Sequence, residues 1–232
     1  APDGRATRVT YGLLNLTHRG GHDAPTPLVP GERYQVDVRL NGVAHAFAEG
    51  HRIRVSVSTS YWPLAWPPPE PVQLKVFTGT TSLGLPVRPV EESDEVTLRP
   101  FDEPEGTEPI GMTVVKPGEH RWDVRRDLIG YESALEVVKD LGVVRIDDID
   151  LEVTRRAEER YSSVADDFDS IRGETYWLMG FRRGDWDVRT ETRTVLTSDA
   201  RAFHLHATLD AYEGDRRVLS RNWQRTIPRD HV

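Results

Sequence analysis

The run DDIDLE at residues 147–152 sets Asp148, Asp150 and Glu152 at a spacing of two. Successive side chains of a β-strand point to opposite faces, so on a strand all three carboxylates would project from one side. Two carboxyl groups about 5–5.5 Å apart suit retaining glycoside cleavage, one as nucleophile and the other as acid and base. That arrangement would suit a β-sandwich glycosidase, but a solvated strand face is the favoured reading, with Ile149, Leu151 and Val153 packed behind it. Val144 and Ile146 are out of phase with those three, so a bulge or turn at Asp147–Asp148 would be needed to swap the faces.

Two histidine pairs stand out, His18 with His22 in HRGGHD and His204 with His206 in FHLHA. On a strand His204 and His206 would share a face that a metal could bridge, and His22–Asp23 could join a first shell. A third ligand at diagnostic spacing is missing, so hydrogen-bonded or exposed histidine is the favoured reading and no metal is expected. Tyr61, Trp62 and Trp66 fall in YWPLAWPPPEP, where flat rings on a proline-stiffened loop could stack on a sugar. A packing surface is the favoured reading of the same rings, because they bury much apolar area with few rotamers to freeze. Trp122, Trp177, Trp186 and Trp223 lie in alternating runs, where core or sheet-face packing accounts for them. The G-x-S-x-G elbow of the α/β-hydrolases is absent, and scattered Ser, His and Asp do not make a triad.

The elements that must position these residues read as strands. Apolar and polar residues alternate at 34–40, 51–60, 72–78, 95–99, 120–129 and 200–214, the signature of half-buried antiparallel strands. Turn chemistry separates them at VPGERY, LNGVA, KPGEH, RRGDW and YEGDRR. One short helix is expected at DDFDSIRG (166–173), with an Asp N-cap and Gly173 as terminator. The pattern predicts an all-β chain, a β-sandwich of jelly-roll type, as a single domain over 1–232. Residues 88–110 are acidic and proline-rich and read as a long surface excursion containing one short strand.

Composition narrows the partners. The 232 residues carry a formal net charge of −8, which argues against nucleic acid, since phosphate binding needs clustered Lys and Arg. No apolar run approaches the roughly 18 residues of a membrane span. With no cysteine there is no disulfide framework, no thiolate zinc site and no thiol nucleophile. Zero cysteines fit either redox compartment, with the cytoplasm the favoured expectation. No cofactor is expected. The chain opens APDGRATRV without a methionine and soon enters strand-like residues, so a piece of a longer chain is expected.

Several stretches together resemble the C-terminal non-catalytic domain of the CocE/NonD hydrolases, the group of X-prolyl dipeptidyl peptidases, cocaine esterase and related acyl esterases. They are APDGRATRVTYGLLNLTHR (1–19), LVPGERYQVDVRL (28–40), FAEGHRIRVSVSTSYWPLAWPPPEP (47–71), LGLPVRP (83–89), ERYSSVADDFDS (159–170) and LDAYEGDRRVLSRNWQRTIPRD (209–230). The segment 50–69 and the closing RNWQRTIPRD are the most specific. The resemblance implies a galactose-binding-like jelly roll that follows an α/β-hydrolase domain holding the Ser-Asp-His triad. None of those catalytic residues matches a position here. It implies a chain without turnover of its own, which packs on the catalytic domain, helps wall the substrate cleft and supports oligomer contacts. It also implies that one or two sandwich strands precede Ala1, which would leave an unpaired edge. A carbohydrate-binding module built on Tyr61, Trp62 and Trp66 and a glycosidase built on Asp148, Asp150 and Glu152 are the alternatives.

Overall fold

A computed structural model describes residues 1–87, 89 and 101–231. Among them eight strands form one antiparallel sheet: β1 (Met112–Lys116), β2 (Glu119–Arg126), β3 (Glu132–Ile146), β4 (Leu151–Val164), β5 (Asp167–Arg183), β6 (Trp186–Ser198), β7 (Ala202–Glu213) and β8 (Arg216–Pro228). The chain is all-β, as the alternation predicts. From β3 to β8 each strand pairs with the next in sequence, while β1 and β2 both pair with β3, β1 along its end and β2 along its start. Two expected turns close hairpins, Gly184–Asp185 joining β5 to β6 and Gly214–Asp215 joining β7 to β8, whereas Pro117–Gly118 links β1 and β2 side by side along β3. Gly184 and Gly214 both sit at φ 56°, the left-handed geometry that two-residue hairpin loops require and glycine adopts without strain.

The sheet has two chemically distinct faces. One carries Val137, Tyr161, Trp177, Leu196, Phe203 and Ile227. The other carries an ion ladder in which Arg160 reaches Glu132 at 2.6 Å and Glu136 at 3.3 Å, Arg156 reaches Asp140 at 2.7 Å, and Glu174 is held by Arg172 at 2.8 Å and Arg193 at 2.5 Å. Opposite charges placed across neighbouring strands attract, and they pair around the buried Ala134, Val138 and Val195 of the same face. The small buried core, Ala134, Val137, Val138, Ala157, Ile171, Val195 and Ala202, lies along the central strands.

Several expected elements differ. The alternating runs at 34–40, 51–60 and 72–78 join no ladder, and apart from the half-buried Tyr34 and Val36 their apolar residues are exposed. Alternation gives a ladder only where a partner backbone continues in register; residues 10–12 lie beside 38–41, where the Asn41 amide donates to the Tyr11 carbonyl at 2.9 Å, but the pairing does not extend into a ladder. The helix expected at 166–173 is instead the start of β5. Asp167 accepts from the Asp169 amide at 2.9 Å and Ser170 Oγ receives the Val164 amide at 2.8 Å, so the capping-type side chains close a β-turn. The strand expected at 95–99, and part of the 88–110 excursion, lie outside the described residues.

Candidate functional site

Residues 61–69 leave the extended N-terminal part and lie against the apolar sheet face at the β6–β7 end. Trp66 is held there by three contacts. Its Nε1 donates to Ser198 Oγ at 2.8 Å, its ring meets Phe203 edge-on at 5.6 Å, and Trp62 packs edge-on against it at 4.9 Å. Trp62 also meets Tyr161 of β4 at 5.9 Å. These T-shaped pairs set a positive ring edge on a negative ring face, the arrangement aromatic quadrupoles favour. Gly173 of β5 lies below Trp66, where an added Cβ would come within 3.7 Å of the indole.

Arg229 locks the loop from the C-terminal side. Only 8% exposed, it donates from Nη2 to the Pro67 carbonyl at 2.5 Å and from Nη1 to Ser198 Oγ and the Asp199 carbonyl, both at 3.2 Å. Its guanidinium stands 4.8 Å from the centre of the Phe203 ring. Burial lowers its pKa from the usual arginine value, partly opposed by Asp199 and Asp169. Its Nε finds no acceptor among the described residues. Tyr61 lies apart from this cluster, edge-on to Tyr11 at 5.3 Å, with its hydroxyl taking a hydrogen bond from Arg8.

This geometry decides how the aromatic run is used. Trp62 and Trp66 do not form an open platform, because each spends ring edge or face on the chain's own sheet. Tyr61, Trp62 and Trp66 therefore do not present one flat surface to a sugar. Sequence reasoning identified the loop but missed Ser198, Phe203 and Arg229.

The acidic set is dispersed. Asp147–Ile149 form a 3-10 turn and Asp150 adopts φ 48°, ψ 43°, so this stretch is the β3–β4 connection. Asp148 and Asp150 belong to the turn, whereas Glu152 begins β4 and faces Arg182 at 3.3 Å. The three carboxylates do not share a strand face, which removes the geometry a glycosidase would need. The turn, rather than a bulge, puts Val144 and Ile146 on the same face as Leu151 and Val153, since Val144 pairs with Val153 and Ile146 with Leu151.

The histidine pairs do not meet. His18 and His22 share a 2.8 Å Nδ1–Nδ1 contact, in which one ring must donate and the other accept. His204 Nε2 donates to Asp199 Oδ2 at 2.8 Å. No group of three or more metal-ligating side chains forms among the described residues. Ser198, Asp199 and His204 are neighbours in space as well as sequence, yet they form no triad. Ser198 pairs with Phe203 on the apolar face, and His204, one residue on, points to the opposite face.

Comparison with known proteins adds to this geometry. Residues 1–99 match the family described as the X-Pro dipeptidyl-peptidase C-terminal non-catalytic domain. Over 62 residues, 27% of the chain, the sequence is 37% identical to the cocaine esterase of Rhodococcus sp. (strain MB1 Bresler). That stretch spans 11% of the esterase's own length. No solved structure matches. Together the two matches support the resemblance to the C-terminal non-catalytic domain of the CocE/NonD hydrolases, the family match covering residues 1–99.

Proposed function

We propose that this chain is a single non-catalytic β domain of a serine hydrolase of the acyl esterase or X-Pro dipeptidyl-peptidase type. It packs on the α/β-hydrolase catalytic domain of the same parent chain and helps shape the substrate pocket. The observation that carries this reading is the exposure of apolar residues within the family-matched stretch. Ile53, Val55 and Val57 are 53%, 59% and 58% exposed, although they alternate as a strand facing a core would. Three aliphatic side chains on one side of an extended segment make a surface whose burial is favourable at about 25 cal/mol per Å². A catalytic domain would cover it and, in doing so, exclude water from the reacting site.

The docking test uses the catalytic domain expressed apart from this chain. The chain is expected to bind it and to raise its turnover of a chromogenic ester, and Val55→Asp in the chain is expected to abolish both effects. Turnover of that ester by the 232-residue chain alone would overturn the reading. A second, independent check is the reading frame on the N-terminal side of Ala1, which is expected to encode an α/β pattern with a G-x-S-x-G elbow.

A further inference from the structure

We propose that the groove between Trp122 and Trp177, on the apolar face of the sheet, binds a planar aromatic carboxylate. Four neighbouring strands build it. Trp122 on β2 lies opposite Val137 on β3, and Ala157 on β4 lies opposite Trp177 on β5. Strands spaced about 4.8 Å apart set the two indoles three strands, or roughly 14 Å, from each other at the backbone. Val137 and Ala157, 4% and 2% exposed, form the floor, whereas Trp122 is 71% and Trp177 38% exposed. The groove is open to solvent along its length and offers about 490 Å³, within the roughly 300–1,000 Å³ of small-molecule sites. Two large rings rising from small floor residues leave a slot for a flat apolar body.

Charge around the slot selects an anion. The chain as a whole is at −8, and of the basic side chains at the groove Arg121 is paired with Asp123 at 3.1 Å, while Glu159, opposite Val137, places an acid beside the floor. Lys139 is held by Glu159 at 2.9 Å. Arg155 stands 5.6 Å from the Trp177 ring centre and meets no carboxylate among the described residues. A guanidinium stacked on an aromatic wall presents a planar N–H fork, which fits a carboxylate in bidentate fashion. A second copy of this chain docked on the same face would bring like charges together, which disfavours self-association there. The groove lies on strands outside residues 1–99, so it stands independently of the family reading.

Calorimetric titration of the full 232-residue chain with 2-naphthoate tests the site. One-to-one saturable binding is expected, with the uncharged 2-naphthalenemethanol about tenfold weaker. Arg155→Gln is expected to bring naphthoate down to the level of the alcohol while leaving the alcohol unchanged. Trp122→Ala is expected to weaken both ligands, and because Trp122 is exposed this variant keeps the fold even where Trp177→Ala does not. The proposal is overturned by the absence of saturable binding, by equal affinity for the acid and the alcohol, or by undiminished binding in Arg155→Gln and Trp122→Ala. Concentration-dependent self-association that Trp122→Ala abolishes would also overturn it and make the face an interface between copies.

Discussion

Trp66 contributes through two separable interactions, its ring packing and its single N–H. Trp66→Phe keeps an aromatic edge toward Phe203 but loses the bond to Ser198 Oγ, and a cost of about 1 kcal/mol is expected. Trp66→Ala removes the packing as well, and because the ring is only half-buried the expected cost is about 2–3 kcal/mol, at the lower end of aromatic truncations. Urea unfolding of both variants checks the order. Arg229→Met conserves volume but orphans the buried Pro67 carbonyl, so a loss of about 2 kcal/mol or more is expected. A neutral outcome in the same unfolding measurement would show that the guanidinium's own desolvation cancels its bonds. The aromatic loop was legible because Trp and Pro are conspicuous in sequence. Its partners were not, since Ser198 and Arg229 lie 132 and 163 residues from Trp66 and nothing local marks them.

At the scale of elements, β3 is instructive because its register slips between Asp140 and Val143. Gly142 occupies φ 70°, its amide donates to Asp140 Oδ1 at 2.7 Å, and an added Cβ would lie 2.0 Å from the Lys116 carbonyl oxygen. Gly142→Ala must therefore move the β1 backbone as well as bear left-handed strain, and an expected loss of about 2 kcal/mol or more follows. Faster amide exchange confined to β1 and the end of β3 would locate the damage. β2 and β7 could be read from alternation, and the hairpin turns from Gly-Asp pairs. The long strands β3 to β6 could not, because ERYSS and its neighbours are dense in charge, and such density reads as a solvated surface. Here Arg and Glu instead face each other across strands. The runs at 34–40, 51–60 and 72–78 mark the converse limit: a correct period does not by itself supply a continuous ladder.

At the scale of the molecule, the charged face makes stability depend on acid. Burial acts to raise the pKa of Glu174, but hydrogen bonds and charge from Arg172 and Arg193 outweigh it and hold the carboxyl below 4.5. Asp140 follows the same logic: burial is outweighed by the Gly142 amide and Arg156, which hold it below 3.8. Asp199 is lowered furthest, to about 2, by the bond from His204 and the amides of Arg201 and Ala202. A carboxylate whose folded pKa lies below its unfolded one contributes fully above the unfolded value and loses that contribution as pH falls through the folded value. The melting temperature is therefore expected to stay level down to about pH 5 and to fall from roughly pH 4.5 toward pH 2. Asp199 closes the β6–β7 turn, so its share is lost last, between the ordinary 3.8 and about 2. Asp199→Asn should lower the melting temperature at pH 7 and flatten the decline between pH 4 and 2, while leaving the earlier loss from Glu174 in place. An acid slope identical to that of the unchanged chain would assign the low-pH transition to the ion ladder alone.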